Sequence, residues 1–95
     1  MTTVSFCRNS DTYTVKCQGH ATGSENICAA VSSIVYTLAG YLLNSENIKV
    51  LTNKTESGNA EFIFSGGAEA AYCYKMAVIG LSQLAKSFPN FVKIK

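Results

Sequence analysis

The 95-residue sequence predicts an α+β fold, a single domain over residues 1–95 in which two helices pack on one mostly antiparallel sheet in the order ββαββαβ. Three observations predict it. Short stretches alternate apolar and polar residues with the two-residue period of strands. Two longer stretches carry apolar residues at helical spacing. Gly-, Asn- or Ser-containing turns separate these stretches, and the order is hairpin, helix, hairpin, helix, strand.

Thr2 to Arg8 places Val4 and Phe6 on one side of a strand and Ser5 on the other, and Tyr13, Val15 and Cys17 alternate in the same way up to Gln18. Asn9-Ser10-Asp11-Thr12 is the turn between them. From Ile27 the apolar positions 27, 31, 34, 35, 38 and 42 form a helical stripe, with Ser24 and Asn26 as polar capping candidates, so a helix is expected from about 25 to 43. Ile48 to Thr52 and Glu61 to Phe64 read as strands joined by a turn over Thr55 to Asn59. Gly66-Gly67 leads into a second helix whose face is Ala71, Tyr74, Val78, Leu81, Ala85 and Phe88, and Pro89 stops it. Phe91 to Lys95 alternates as a final strand with Lys93 and Lys95 on its wet face. The aromatic set Tyr36, Tyr41, Tyr72, Tyr74, Phe62, Phe64 and Phe88 is expected to be mostly core, with one or two placed to line a pocket.

Composition narrows the function classes. With 47% apolar and 15% charged residues the chain has the makings of a packed core and not of a disordered segment. A formal charge of +2 is too small for a polyanion-binding surface, so no direct nucleic-acid partner is expected. Met1 to Phe6 has neither a basic leader nor a long apolar run, and the stretch from Cys28 to Leu43 is interrupted by Ser32, Ser33, Thr37 and Gly40. A cytoplasmic protein with no membrane segment is therefore expected. The four cysteines form no C-x-x-C pair, and the lone histidine has no neighbour at metal spacing, so neither a metal nor an organic cofactor is expected.

The chemistry concentrates in residues 19–32, GHATGSENICAAVS. Cys28 falls in the first turn of the first helix, where unbonded N–H groups and the positive end of the dipole favour a thiolate. His20 follows the second strand, and Gly19 before it lets the chain turn sharply. Seven residues between His20 and Cys28 are enough to fold back and bring the imidazole within reach of the sulfur. In that arrangement the cysteine is a nucleophile, the histidine its base, and the first-turn amides hold an oxyanion. Position alone equally allows a buried thiol beside a polar loop histidine. Ser32, one helical turn after Cys28, either touches substrate or sulfur or bonds back to a helix carbonyl. Cys7, Cys17 and Cys73 have no base beside them in sequence and are expected to be inert. Gly66-Gly67 lacks the Lys-Ser/Thr element of a phosphate loop and reads as a loop into a helix.

Gly19-His20-Ala21 followed by Ile27-Cys28-Ala29-Ala30-Val31-Ser32, between an opening hairpin and a long helix, resembles the signature of the ribosomal-processing cysteine proteases, the Prp family. The order of elements and the chain length resemble that family too. The resemblance implies a cysteine endopeptidase of bacteria such as Firmicutes that removes the N-terminal extension of a large-subunit ribosomal protein, number twenty-seven, during ribosome assembly. It implies Cys28 as nucleophile, His20 as base, and an apolar pocket for an aromatic residue near the cut. Gly19, Ala21, Gly23 and Ser32 are the expected substrate contacts, the ribosomal precursor is the expected partner, and a homodimer is implied. The chain departs from the family pattern in a shorter loop between histidine and cysteine and in Glu25, where an aspartate is usual. A carboxylate of either kind suits the first helical turn. The rival reading is a non-catalytic, ribosome-associated module that binds a peptide or protein at the helix start and keeps Cys28 for packing.

Overall fold

The computed structural model describes residues 1–20 and 25–95. Their elements run β1 Thr2–Asn9, β2 Thr12–Gln18, α1 Glu25–Asn44, β3 Ile48–Glu56, β4 Asn59–Gly66, α2 Ala68–Ser87 and β5 Val92–Ile94, the expected ββαββαβ order. The five strands form one sheet in the order β3-β4-β2-β1-β5. All its pairings are antiparallel except that between β1 and β5.

The alternation read from the sequence decides which face is covered. Val4, Tyr13, Val15, Cys17, Ala60, Phe62, Phe64 and Val92 are buried, and they meet the α1 stripe Ile27, Val31, Val35, Leu38 and Leu42 and the α2 residues Ala70, Ala77 and Leu81 in one core. α1 lies against β3 and α2, while α2 lies over β2, β4 and β5. The opposite face keeps Thr3, Ser5, Thr14, Lys16, Glu61 and Ser65 partly exposed. On it the directly opposed pair Lys16 and Glu61 forms an ion pair at 3.9 Å, a contact of a few tenths of a kcal/mol at most on such a wet surface.

Two expectations about extent are corrected. β3 and β4 run well past Thr52 and start before Glu61, leaving only Ser57 and Gly58 as the turn between the paired residues Glu56 and Asn59. Polar residues obscured this in the sequence, because an edge hairpin is held by its ladder and needs no apolar face along its whole length. A bulge at Leu51 shifts the register between Val50 and Thr52. Beyond it Asn53, and not Thr52, takes the helix-facing side, where its amide donates to the Ala39 carbonyl of α1 at 3.1 Å. The same shift puts Lys54 and Glu56 on the wet face, 3.6 Å apart.

The aromatic expectation holds for part of the set. Phe62 and Phe64 are fully buried, and Tyr74 packs against Phe6 and Tyr13. Tyr36, Tyr41, Tyr72 and Phe88 are exposed, with Tyr36 and Tyr72 at 66% and 64%. One sheet covers only the inner face of the helix pair, so helical spacing alone did not say which stripe would be inside. α1 runs Glu25–Asn44, close to the expected 25 to 43. At 20 residues it is long and apolar enough by length and composition to cross a membrane, yet its stripe is packed on the sheet.

A carboxylate ties the two helices together. Glu69, in the first turn of α2, accepts hydrogen bonds from Tyr41 Oη at 2.7 Å, Ser45 Oγ at 2.9 Å and Asn47 Nδ2 at 2.9 Å, so it joins the end of α1 and the following loop to α2. These bonds, that from Tyr41 first, hold the Glu69 carboxyl below its ordinary 4.5. The same bond raises Tyr41 above its ordinary 10.0. A depressed carboxyl stabilises the fold above its unfolded-state value and stops doing so as pH falls through the folded one. A raised phenol stabilises below its unfolded-state value and stops as pH rises through the folded one. Glu69→Gln is therefore expected to lower the thermal midpoint near neutrality, and the gap between variant and parent is expected to close as pH drops below 4.5. Calorimetric scans of both proteins across that range check it, and a gap that widens in acid would contradict the assignment.

Candidate active site

The site is built where the β2–β4 ladder runs out. Gln18 pairs with Asn59, and one step further Gly19 N–H donates to the Gly58 carbonyl at 2.8 Å. Gly19 has φ +86 and passes so close to the first residue that a Cβ there would lie 2.4 Å from the Met1 carbonyl oxygen, so only glycine fits. The next residue is His20, exposed at the end of the strand. Chain direction thus delivers the imidazole to the β3–β4 turn.

α1 begins at Glu25, so Cys28 closes its first turn, and Glu25 is the acidic residue of that turn. The Cys28 side chain is half-buried and packs partly against the core. Its other side faces a cavity of about 170 Å³ that is also lined by His20. Gly19 and Ser32 line this cavity as well, so the structure gathers four of the six residues singled out in the sequence: Gly19, His20, Cys28 and Ser32. Ala21 and Gly23, like the capping candidate Ser24, lie outside the described residues.

Other lining residues escaped the sequence reading. Thr2 enters from β1, and Ser57, Gly58 and Asn59 from the β3–β4 turn, whereas Tyr36 of α1 belongs to the aromatic set of which one or two were expected to line a pocket. The signal for the turn, a glycine between polar residues, was present, but nothing local says which other loop it meets. Among the described residues Asn59 Oδ1 is buried and meets no hydrogen-bond donor, a costly state for an acceptor.

The remaining thiols sort by environment. Cys17 was expected to have no base beside it, yet it lines the cavity that holds His20. Burial nevertheless pushes its thiol up to about 11, which keeps it protonated. Cys73 is raised as well, by burial and then by the Glu69 charge. Cys7 is exposed on β1. A second, larger groove of about 450 Å³ lies between the outer faces of α1 and α2, along Ile34, Tyr41, Tyr72 and Met76, and holds neither His20 nor Cys28. Among the described residues no three His, Cys, Asp or Glu side chains come together as metal ligands.

The profile of the cysteine protease Prp family matches residues 1–93. The chain belongs to the Prp family of cysteine proteases. Among solved structures, the Staphylococcus aureus ribosomal processing protease Prp with a covalently linked product peptide superimposes with a TM-score of 0.84 at 16% identity, covering 100% of this chain and 98% of that one. The same Staphylococcus aureus protease with a substrate peptide gives 0.75 at 16% identity over 100% and 98%. A Streptococcus mutans protein gives 0.73 at 22% identity over 100% and 92%. At these identities the superpositions show a common fold. No curated protein matches the chain. Within the Prp fold, the two cavity thiols are expected to separate cleanly. A shift from 9.0 to about 11 leaves Cys17 with roughly one-hundredth of the thiolate of an ordinary cysteine at neutral pH. Iodoacetamide mapping by mass spectrometry should find Cys28 alkylated much faster than Cys17, whose labelling should rise only on denaturation. Comparable rates for the two in the folded protein would refute it.

Proposed function

We propose that this chain is a cysteine endopeptidase that cuts the N-terminal extension from a precursor of a large-subunit ribosomal protein, number twenty-seven, in the cytoplasm. Cys28 is the nucleophile and His20 the general base and acid. The observation that carries this reading is the shared cavity: the only histidine of the chain and the cysteine of the α1 first turn line the same small space. Membership of a cysteine protease family supports it, as does the product peptide held covalently in the Staphylococcus aureus protein.

The reaction follows from the groups present. His20 takes the proton from Cys28 Sγ as the sulfur attacks the scissile carbonyl carbon, and the carbonyl π pair moves to oxygen. The amides at the start of α1 are aimed along the helix axis toward that oxygen's charge. Collapse breaks the C–N bond, and the imidazolium hands its proton to the departing amine. This leaves a thioester on Cys28. A water then gives its proton to His20 and attacks the thioester carbonyl, the C–S bond breaks, and the imidazolium returns the proton to the departing sulfur, leaving the free thiol and the carboxylic acid product. Tyr36, Val31 and Val35 give the cavity an apolar wall suited to the aromatic residue expected beside the cut.

Cys28→Ser is expected to bind the precursor and cut it at least about 1,000-fold more slowly, and His20→Ala to lose about 100- to 10,000-fold. Incubation with the unprocessed ribosomal precursor and mass mapping of the products tests both. Full cleavage by Cys28→Ala would eliminate the mechanism, and binding without any cut by the parent would leave the chain a binding module.

A homodimer is part of this proposal. Tyr72, Met76 and Ile79 are exposed on the outer face of α2, Met76 at 75%, and give a second copy an apolar surface to cover. The double variant Met76→Lys, Ile79→Lys is expected to run as a monomer in light scattering where the parent runs as a dimer, with an unchanged circular dichroism spectrum.

A further inference from the structure

The β3–β4 turn does more than close a hairpin. Gly58 has φ +72, and a Cβ built on it would lie 2.6 Å from His20 Nε2 and 3.2 Å from both Cδ2 and Cε1. The imidazole thus rests with its Nε2 end on the bare backbone of this glycine. We propose that Gly58 is a positioning residue for His20: the side chain it lacks is the space the ring occupies, and this seat aims the imidazole into the cavity shared with Cys28. The inference rests on the reading of His20 as the general base.

The balance of what would give way carries the point. Non-bonded heavy atoms settle about 3.5 Å apart, so any side chain at position 58 must open the contact by about 1 Å. The turn cannot easily retreat, because the Gly58 carbonyl is bonded to Gly19 N–H at 2.8 Å and Asn59 is locked in register with both Gln18 and Glu56. His20 is the exposed end of a strand, and its ring is the far end of a rotatable side chain. The ring yields, and the fold stays. A misplacement of about 1 Å at a reacting group costs on the order of 100-fold in rate. The position also needs a left-handed backbone, which glycine adopts freely and asparagine tolerates better than other residues with a Cβ. Asparagine therefore separates the two roles of Gly58, since it accommodates the backbone and still fills the seat.

The test compares Gly58→Ala, Gly58→Asn and His20→Ala on the precursor peptide, with thermal midpoints and the His20 ring Hε1 resonance followed by NMR. The expected result is that Gly58→Asn keeps a midpoint close to the parent's, shifts the His20 resonance, and loses about 100-fold in kcat with KM changed less than about threefold. Gly58→Ala should lose the same activity at a lower midpoint. Rescue of kcat by asparagine, or an unmoved His20 resonance in both variants, overturns the proposal and leaves Gly58 a turn residue only. If His20→Ala is inactive while both Gly58 variants cut at the parent rate, the positioning role fails and the base reading stands. If His20→Ala itself cuts at the parent rate, the base reading fails and the proposal falls with it.

Discussion

One hydrogen bond beyond the end of a ladder sets the geometry of the site. The Gly19 N–H bond to the Gly58 carbonyl extends the β2–β4 pairing past Gln18 and Asn59, so that β2 leaves the sheet directly over the β3–β4 turn. Everything that makes His20 chemically interesting follows from where that bond ends the strand. A slip of one residue would send the alternate set of β2 side chains to the wet face, lifting Tyr13, Val15 and Cys17 out of the core. Burial of these three residues, together with Phe62 and Phe64 opposite, is thus what holds the imidazole in place. Each fully buried large side chain of this kind is worth about 1.5–3 kcal/mol over its exposed state. Site geometry and core stability are the same constraint viewed from two ends of one strand.

The covering of only one sheet face explains the rest of the surface. Two helices are enough to cover the inner side of the sheet, and each uses a single stripe to do so, which leaves a groove between their outer faces. The Glu69 carboxylate closes one end of that groove by drawing in Tyr41, Ser45 and Asn47 from the far side. At the other end of α1 lies the small cavity of Cys28. The helix thus separates two concave regions of different character: a pocket of mixed polar and apolar lining near its N-terminus, and a more apolar trough along its length. His20 and Cys28 both line the first, even though the second is larger.

Much of this could be read from the residues. The α1 stripe at 27, 31, 35, 38 and 42 is the buried one, and its start at Glu25 puts Cys28 in the first turn as its spacing implied. Strand alternation in β1 and β2 gave their inner faces directly. What remained hidden is tertiary in origin. The polar run from Asn53 to Glu56 belongs to β3 because the ladder and a bulge hold it there, and no apolar period announces it. Tyr36 and Tyr72 sit at helical spacings compatible with a core, but the core had no third layer to receive them. Gly58 was legible as a turn glycine and not as a neighbour of His20, since that meeting depends on a register fixed 38 residues apart in the chain.

The two thiols of the cavity show how differently a fold can set identical side chains. Cys17 lies inside β2, paired on one side with Val4 and on the other with Ala60, so its neighbouring backbone N–H groups are directed to the ladders. Its side chain is buried beside Val4, Val15 and Ala60, and charging it there costs desolvation, which is what raises its thiol. Cys28 stands where a helix begins, a place where amides point outward along the axis and a negative charge is favoured. It also keeps one side toward the cavity in which His20 stands. Burial keeps the strand thiol protonated, and the helix start is the one of the two settings that favours a thiolate. The distinction needs no difference in the residues themselves, only the burial of one and the helix-start setting of the other.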